Sequence, residues 1–251
     1  MVNYINAADA ANIRKINRLS AFQPRSLRSV YMEKKTYKYI LFDLDGTLTD
    51  PKEGITKCFQ YALKHFGIEE ELENLNKVIG PPLIDSFIEF YGLKGEKAKA
   101  AVEKYRERFS DIGIYENAVY DGIPEALGRI KESGRKIALA TSKPLVFAKR
   151  ILKHYDLERY FDVVMGAELN GVRNNKDEVI AEVLRLFGNP DPKDVLMVGD
   201  RKQDIIGAKK CGVASVGVRF GYAEPNELEA EEPDYIVDTV EELEELILGG
   251  N

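Results

Sequence analysis

Only two cysteines, Cys58 and Cys211, occur in the 251 residues. They stand far apart, and neither belongs to a C-x-x-C pair, so neither a disulfide framework nor a zinc knuckle is supported. Reduced, buried thiols in a cytosolic protein are the expectation. Long apolar runs are missing as well. The longest, such as Ile137 to Ala140 and Val195 to Val198, fall far short of the roughly 20 residues that a bilayer crossing needs. Positive charge is in deficit, with 36 Lys+Arg against 42 Asp+Glu and a net charge of −6. A binder of phosphate backbone presents a basic face, so neither nucleic acid nor membrane is expected as a partner. The chain does have 44% hydrophobic and 31% charged residues, an ordinary composition for a globular protein of one large domain or two unequal ones.

The first 31 residues depart from this average. Arg14, Lys15, Arg18, Arg25 and Arg28 face Asp9 alone. The segment loosely resembles a transit peptide but lacks the apolar stretch of a secretory signal. A disordered leader, or an upstream start before Met32, is the expectation for 1–31.

From Tyr37 onward, short apolar runs alternate with amphipathic stretches. Strands are predicted at Tyr37 to Phe42, Ile137 to Ala140, Val163 to Met165, Val195 to Val198, Ala214 to Val218 and Tyr235 to Val237. Helices are predicted at Pro124 to Ser133, Leu145 to Tyr155, Asp177 to Phe187 and Gln203 to Cys211, three of them closing at Gly134, Gly188 and Gly212. This alternation implies right-handed βαβ units, and so an α/β fold with a doubly wound, Rossmann-like parallel sheet. One interval breaks it. Between Asp50 and about Asn117 only helices are predicted: Glu53 to Phe66, Glu69 to Val78, Leu83 to Tyr91 and Glu96 to Ile112. That is too long for a βα loop of about 2–6 residues. An inserted α-helical cap over 51–117 is therefore expected, with the core formed by 37–50 and 118–251. The acidic run Glu241 to Glu245 reads as the solvated face of a last short helix.

Chemistry concentrates at the strand ends. The first strand ends in Asp43-Leu44-Asp45-Gly46-Thr47-Leu48-Thr49-Asp50, and ligands of open α/β sheets bind beyond the carboxyl ends of the strands. Two adjacent carboxylates there call for a cation or a shared proton, and Mg²⁺ satisfies both by direct oxygen ligation. Gly46 allows a tight turn that exposes N–H groups to an anion. At the next strand end, Thr141-Ser142-Lys143 sets a hydroxyl, N–H groups and a cation together, which suits a phosphoryl oxygen. Lys176 opens a helix, and Gly199-Asp200 precedes Asp204 by one helical turn. Taken singly, each piece reads as a helix cap or a surface charge. Their joint occurrence at strand ends points to one site.

These four ordered pieces resemble the motifs of the haloacid dehalogenase-like hydrolase superfamily, over about Tyr37 to Asn251. The helical insert resembles the cap of the phosphoglycolate phosphatase and β-phosphoglucomutase branch. Val78-Ile79-Gly80-Pro81-Pro82-Leu83 is similar to its phosphoglycolate phosphatase-like members. Relatives often set prolines after the motif lysine, whereas Asp177-Glu178-Val179 follow Lys176 here. The resemblance implies that Asp43 attacks phosphorus, and that Mg²⁺ is held by Asp43, Asp45 (through its carbonyl) and Asp200. It implies that Asp45 serves as acid and then base. Thr141, Lys176 and the Asp45, Gly46 and Ser142 amides would hold the phosphoryl oxygens, with Lys143 in support and Asp204 orienting Lys176 or a metal-bound water. The second aspartate separates a phosphatase from a dehalogenase, whose leaving halide needs no proton.

Substrate choice must then come from the cap. Candidates are Lys57, Lys64, the turn Gly80 to Leu83 and Asp85, with Lys143 and Arg201 across the cleft. The cap carries no obvious cluster of cations for a second phosphate, which favours a small phosphorylated metabolite with one phosphate. A phosphoglycolate phosphatase-like activity is the leading expectation. A 5′-nucleotidase follows, with pyrophosphatase, sugar-phosphate mutase and a non-catalytic phospho-ligand binder behind. The oligomeric state is left open. His65 and His154 lie at no strand end and read as packing or surface residues.

Overall fold

The structure is a computed structural model that describes residues 35–249, so the expectation for 1–31 lies outside the described residues. Six strands form one parallel sheet: β1 (Tyr39–Phe42), β4 (Lys136–Pro144), β5 (Val163–Ala167), β6 (Val195–Gly199), β7 (Ala214–Val218) and β8 (Tyr235–Val237), in the spatial order β5-β4-β1-β6-β7-β8. The chain winds outward from β1 to one side through β4 and β5, then to the other through β6, β7 and β8. β1 thus sits where the winding direction reverses. Phe42 pairs with Leu139 on one side and Val198 on the other, so β1, β4 and β6 present their carboxyl ends together.

The inner strands β1, β4, β6 and β7 are buried on both faces, which is why they read in sequence as unbroken apolar runs. Ile40, Phe42, Leu139 and Val198 pack into one core, and Leu41, Ala138, Ala140 and Met197 into the other, the alternation that strand geometry imposes. The first core is covered by α4 (Ile123–Glu132), α5 (Leu145–His154) and α9 (Val240–Leu248), the second by α6 (Lys176–Leu186) and α7 (Lys202–Cys211). A one-turn helix, α8 (Glu227–Ala230), follows β7.

Between β2 (Thr49–Asp50) and β3 (Ala118–Val119), which pair antiparallel, lies a helical segment of α1 (Lys52–His65), α2 (Leu83–Tyr91) and α3 (Glu96–Phe109). An aromatic cluster holds it together: Phe59 stacks on Phe87 with ring centroids 4.0 Å apart, and Tyr91 and Tyr105 close around it. The predicted helix Glu69 to Val78 is instead a 3₁₀ stretch over Leu72–Val78. Leu72, Leu75 and Val78 recur every third residue and turn inward together when there are three residues per turn. The predicted helix Glu96 to Ile112 stops at Phe109. β4 runs past Ala140 to Pro144, with an irregularity in its pairing to β5 between Thr141 and Pro144. Among the described residues no helix is long and apolar enough to cross a membrane. Cys58 is buried as expected, whereas Cys211 is partly exposed.

Candidate active site

Asp43 follows β1 directly, and its backbone N–H donates to the Val198 carbonyl of β6 (2.9 Å), so the residue is fixed where β1 and β6 end. Lys176 opens α6, whose start is fixed by a reciprocal cap: Asn175 caps the third helical residue, and the Asn175 N–H donates to Glu178 (3.2 Å). That fold drives the Lys176 ammonium inward. Its Nζ stands 2.8 Å from Asp43 Oδ1 and 2.8 Å from Asp204 Oδ1, and it donates to the Ala140 carbonyl at 3.1 Å. Burial works against its charge, but Asp204 and Asp43 outweigh that and hold it protonated beyond the ordinary lysine range. The Lys176 position predicted from sequence is thus at the centre of the cluster, without the prolines its relatives often carry.

Asp200 follows β6 and is fully buried. It accepts from Thr47 Oγ1 (3.2 Å) and from the Tyr222 N–H (2.8 Å). Asp204, one turn into α7, accepts from the Arg201 N–H (3.1 Å). Burial, followed by the proximity of Asp204 and Asp43, pushes Asp200 well above the usual carboxylate range. Burial also raises Asp204, against the pull of Lys176. Carboxylate oxygens of Asp43, Asp200 and Asp204 lie within 4.8 Å of one another.

Asp45 turns the other way. Its Oδ2 meets Lys143 Nζ at 2.5 Å, and that ammonium also lies over the Phe109 ring of α3, 4.9 Å from its centroid. Burial raises the Asp45 pKa and Lys143 opposes the rise. Its other carboxylate oxygen, Oδ1, is buried without a hydrogen-bond partner among the described residues. The Thr141 hydroxyl is fixed on the Lys143 N–H (3.2 Å), beside the pairing irregularity of β4. Ser142 and Lys143 both line the adjoining cavity.

Gly46 does something other than offer its N–H to an anion. That N–H donates to the Thr49 carbonyl at 2.7 Å, closing the turn after β1. Its φ is +81°, and a Cβ there would stand 2.1 Å from Asp200 Oδ2. The glycine makes room for Asp200.

The chemistry of the donors fits a divalent cation. Four buried carboxylates (Asp43, Asp45, Asp200 and Asp204) face two buried ammonium groups, those of Lys143 and Lys176. Arg201 is neutralised by Glu227 (2.9 Å). With all four ionised, two negative charges would stand uncompensated among hard oxygen donors, which is the combination that suits Mg²⁺.

A cavity of about 410 Å³ opens beside Asp45, Ser142 and Lys143. The helical segment walls it with the turn Gly80 to Leu83 and with one face of α3, where Lys99, Val102, Glu103, Arg106 and Phe109 recur every three or four residues. The β5–α6 connection adds Glu168, Leu169, Asn170 and Asn174. Arg106 reaches across to the Leu169 carbonyl (3.3 Å). Of the substrate candidates read from sequence, the turn Gly80 to Leu83 and Lys143 line this cavity. Lys57 does not: it pairs with Glu53 (2.5 Å) and lines a separate hollow with Asp50 and Glu116. Lys64 and Asp85 are exposed and line neither hollow. The Arg201 side chain is spent on Glu227 and the Ile79 carbonyl. The α3 face and the β5–α6 connection escaped sequence reasoning. The helical spacing of the α3 residues was visible there, but nothing in sequence says which face of a helix meets a site. The His65 ring meets Phe66, and the His154 ring meets Tyr115 and Tyr155.

The family model for haloacid dehalogenase-like hydrolases matches residues 40–218, a span that contains Asp43, Asp45, Thr141, Lys143, Lys176, Asp200 and Asp204. The chain is a haloacid dehalogenase-like hydrolase. A 5′-nucleotidase of Pseudomonas aeruginosa is 46% identical to it over 200 residues, 79% of this chain and 90% of that protein. A phosphoglycolate phosphatase of Aquifex aeolicus is 29% identical over 84% of this chain and 96% of its own length. Among solved structures, a predicted phosphatase from Clostridium acetobutylicum superposes with a TM-score of 0.83 at 45% identity, covering 85% of this chain and 99% of that one. This haloacid dehalogenase-like hydrolase is a phosphatase, and the doubly wound sheet is the one its structural relatives share.

Proposed function

We propose that this haloacid dehalogenase-like hydrolase is a Mg²⁺-dependent phosphomonoesterase acting through an aspartyl-phosphate, with a nucleoside monophosphate as its substrate class. Asp43 attacks phosphorus in line, and the bond from phosphorus to the leaving oxygen breaks. Asp45 supplies the proton that oxygen needs, then takes one from the water that cleaves the acyl phosphate. The raised pKa that burial gives Asp45 suits both roles, and Lys143 fixes which of its oxygens is free. Thr141 and Lys176 hold phosphoryl oxygens, and Asp204 keeps Lys176 in place. Asp43, Asp200 and the Asp45 carbonyl would hold Mg²⁺, which when bound offsets the charge gathered on the phosphoryl group. Over these groups, residues 51–117 act as the cap that shapes the leaving-group cavity.

The observation that carries the substrate class is the cavity. At about 410 Å³ with a largely apolar lining, it matches the roughly 300–1,000 Å³ of pockets that enclose drug-sized ligands. A glycolate leaving group has two carbons and would leave most of that space to water. A nucleoside would fill it, its base against the apolar side chains of Val78, Val102 and Phe147 and its polar edges near Asn170 and Asn174. The identity to the P. aeruginosa 5′-nucleotidase supports the same reading. A second reading, phosphoglycolate, is favoured by Lys99 and Arg106 on the cavity wall, either of which suits a substrate carboxylate.

The test is phosphate release from mononucleotides, phosphoglycolate, sugar phosphates and pyrophosphate, with Mg²⁺ or with EDTA, alongside Asp43→Asn. Release that needs metal, vanishes in Asp43→Asn and ranks mononucleotides first by kcat/KM is expected. Release undiminished in Asp43→Asn would overturn the mechanism, and phosphoglycolate ranked first would overturn the substrate class.

A further inference from the structure

Arg201 stands directly after Asp200, yet its side chain leaves the phosphoryl site. It is 5% exposed and runs to the helical segment. Its Nε and Nη2 form a two-pronged pair with Glu227 of α8, at 2.9 Å and 3.2 Å. Its Nη1 donates to the backbone carbonyl of Ile79. Glu227 is fixed in turn by the Lys202 N–H (2.9 Å) and the Glu224 N–H (3.0 Å), so the guanidinium is held in place before it meets the turn. The turn is shaped to receive it. Gly80 has φ +102°, and a Cβ there would stand 2.6 Å from Arg201 Cγ. Ile79 is fully buried, while its neighbours Val78, Gly80, Pro81, Pro82 and Leu83 line the leaving-group cavity.

The geometry points to Arg201 as the positioning residue that sets the leaving-group specificity of this enzyme. It grips one backbone carbonyl of the cavity-lining turn and joins that turn to the segment bearing Asp200. The placement of the turn, and with it the room for the leaving group, is thus referred to the phosphoryl site through one rigid fork. A planar guanidinium meets Glu227 with a two-pronged fork and keeps Nη1 for Ile79, a geometry that the single nitrogen of an ammonium does not reproduce. The Arg201 backbone N–H, which serves Asp204, survives any substitution of the side chain. The inference rests on the reading that the leaving group occupies this cavity.

The experiment compares Arg201→Gln, Arg201→Lys and Gly80→Ala with the parent enzyme, using a nucleoside monophosphate and acetyl phosphate. The first has a leaving group that fills the cavity and the second does not. For Arg201→Gln and Gly80→Ala the ratio of kcat/KM for nucleotide to that for acetyl phosphate is expected to fall by on the order of tenfold or more, carried by KM, because small misplacements of binding groups cost that much. Acetyl phosphate turnover by the two Arg201 variants is expected to stay within about twofold. Arg201→Lys is expected to behave like Arg201→Gln. Amide hydrogen exchange over 78–83 is expected to quicken in both Arg201 variants, a readout independent of any substrate. Equal losses on both substrates, an unchanged ratio, or exchange over 78–83 identical to the parent would each overturn the inference. A parent enzyme that ignores nucleotides refutes the substrate class instead, and the ratio is then taken with the bulkiest phosphomonoester it does hydrolyse.

Discussion

Replacing Gly46 by alanine tests whether Asp200 is held as described. Two costs add. Gly46 sits at φ +81°, where a side chain costs roughly 1–2 kcal/mol in backbone strain. The new Cβ would also stand 2.1, 2.6 and 2.8 Å from Asp200 Oδ2, Cγ and Oδ1. The carboxylate must move, and its hydrogen bonds from Thr47 (3.2 Å) and the Tyr222 N–H (2.8 Å) stretch or break. Each hydrogen bond contributes about 0.5–1.5 kcal/mol, so with the backbone strain a total loss of about 2–5 kcal/mol is expected, toward the severe end of point substitutions. Gly134→Ala separates the two costs, because Gly134 has φ +83° and a Cβ there would meet nothing within 4 Å; it should lose only about 1 kcal/mol. Urea unfolding gives both values, and Mg²⁺ titration of phosphate release should show weaker metal dependence in Gly46→Ala alone. If Gly46→Ala loses no more stability than Gly134→Ala and titrates with Mg²⁺ like the parent, the argument that Gly46 makes room for Asp200 fails.

Lys176→Met leaves Asp43 and Asp204 without their shared cation (2.8 Å to each); a stability loss of about 3–5 kcal/mol by denaturant titration and loss of phosphate release are expected, and wild-type unfolding would contradict this. Phe59→Ala empties the centre of the aromatic cluster, where Phe59 is fully buried, and is expected to cost about 3–5 kcal/mol. A small loss there would mean that the cluster does not hold the helical segment together. The Arg108 guanidinium beside Glu116 (2.6 Å) holds that carboxyl below its ordinary range despite partial burial. The stabilisation is therefore complete above the ordinary glutamate pKa and fades as the pH falls through the lowered one. Stability of Glu116→Gln should accordingly vary less than that of the parent across this acid window, and identical slopes would count against it.

The core was legible because buried parallel strands cannot alternate: Ile137 to Ala140 and Val195 to Val198 are apolar throughout since both their faces are covered. The site residues were legible for a related reason, as strand ends in a doubly wound sheet are the places where charged groups gather. Less could be read in the helical segment. Leu72 to Val78 carries apolar residues every third position, a period too close to the α-helical one to separate in so short a stretch. β2 and β3 have two residues each, too few to show any alternation. The partnership of Arg201 with Ile79 joins positions 122 residues apart, and an arginine beside an aspartate in sequence reads equally well as a substrate contact. Gly46 was placed at the right turn but for another use, because the sequence does not reveal that Asp200 comes to lie against it.

The β2–β3 ribbon has a bearing on how the chain folds. β1 must find β4 across the whole helical segment, a pairing of high contact order and so intrinsically slow. The ribbon pairs Thr49 with Val119 and Asp50 with Ala118, and just beyond it the Gly54 N–H donates to the Glu116 carbonyl (2.9 Å). Once those few contacts form, the segment is a closed loop, and the remaining search for β4 spans little more than α4. The entropy of closing that loop grows only slowly with its length. Lengthening the exposed helical connections should therefore change the refolding rate far less than disrupting the two pairs of residues that close it.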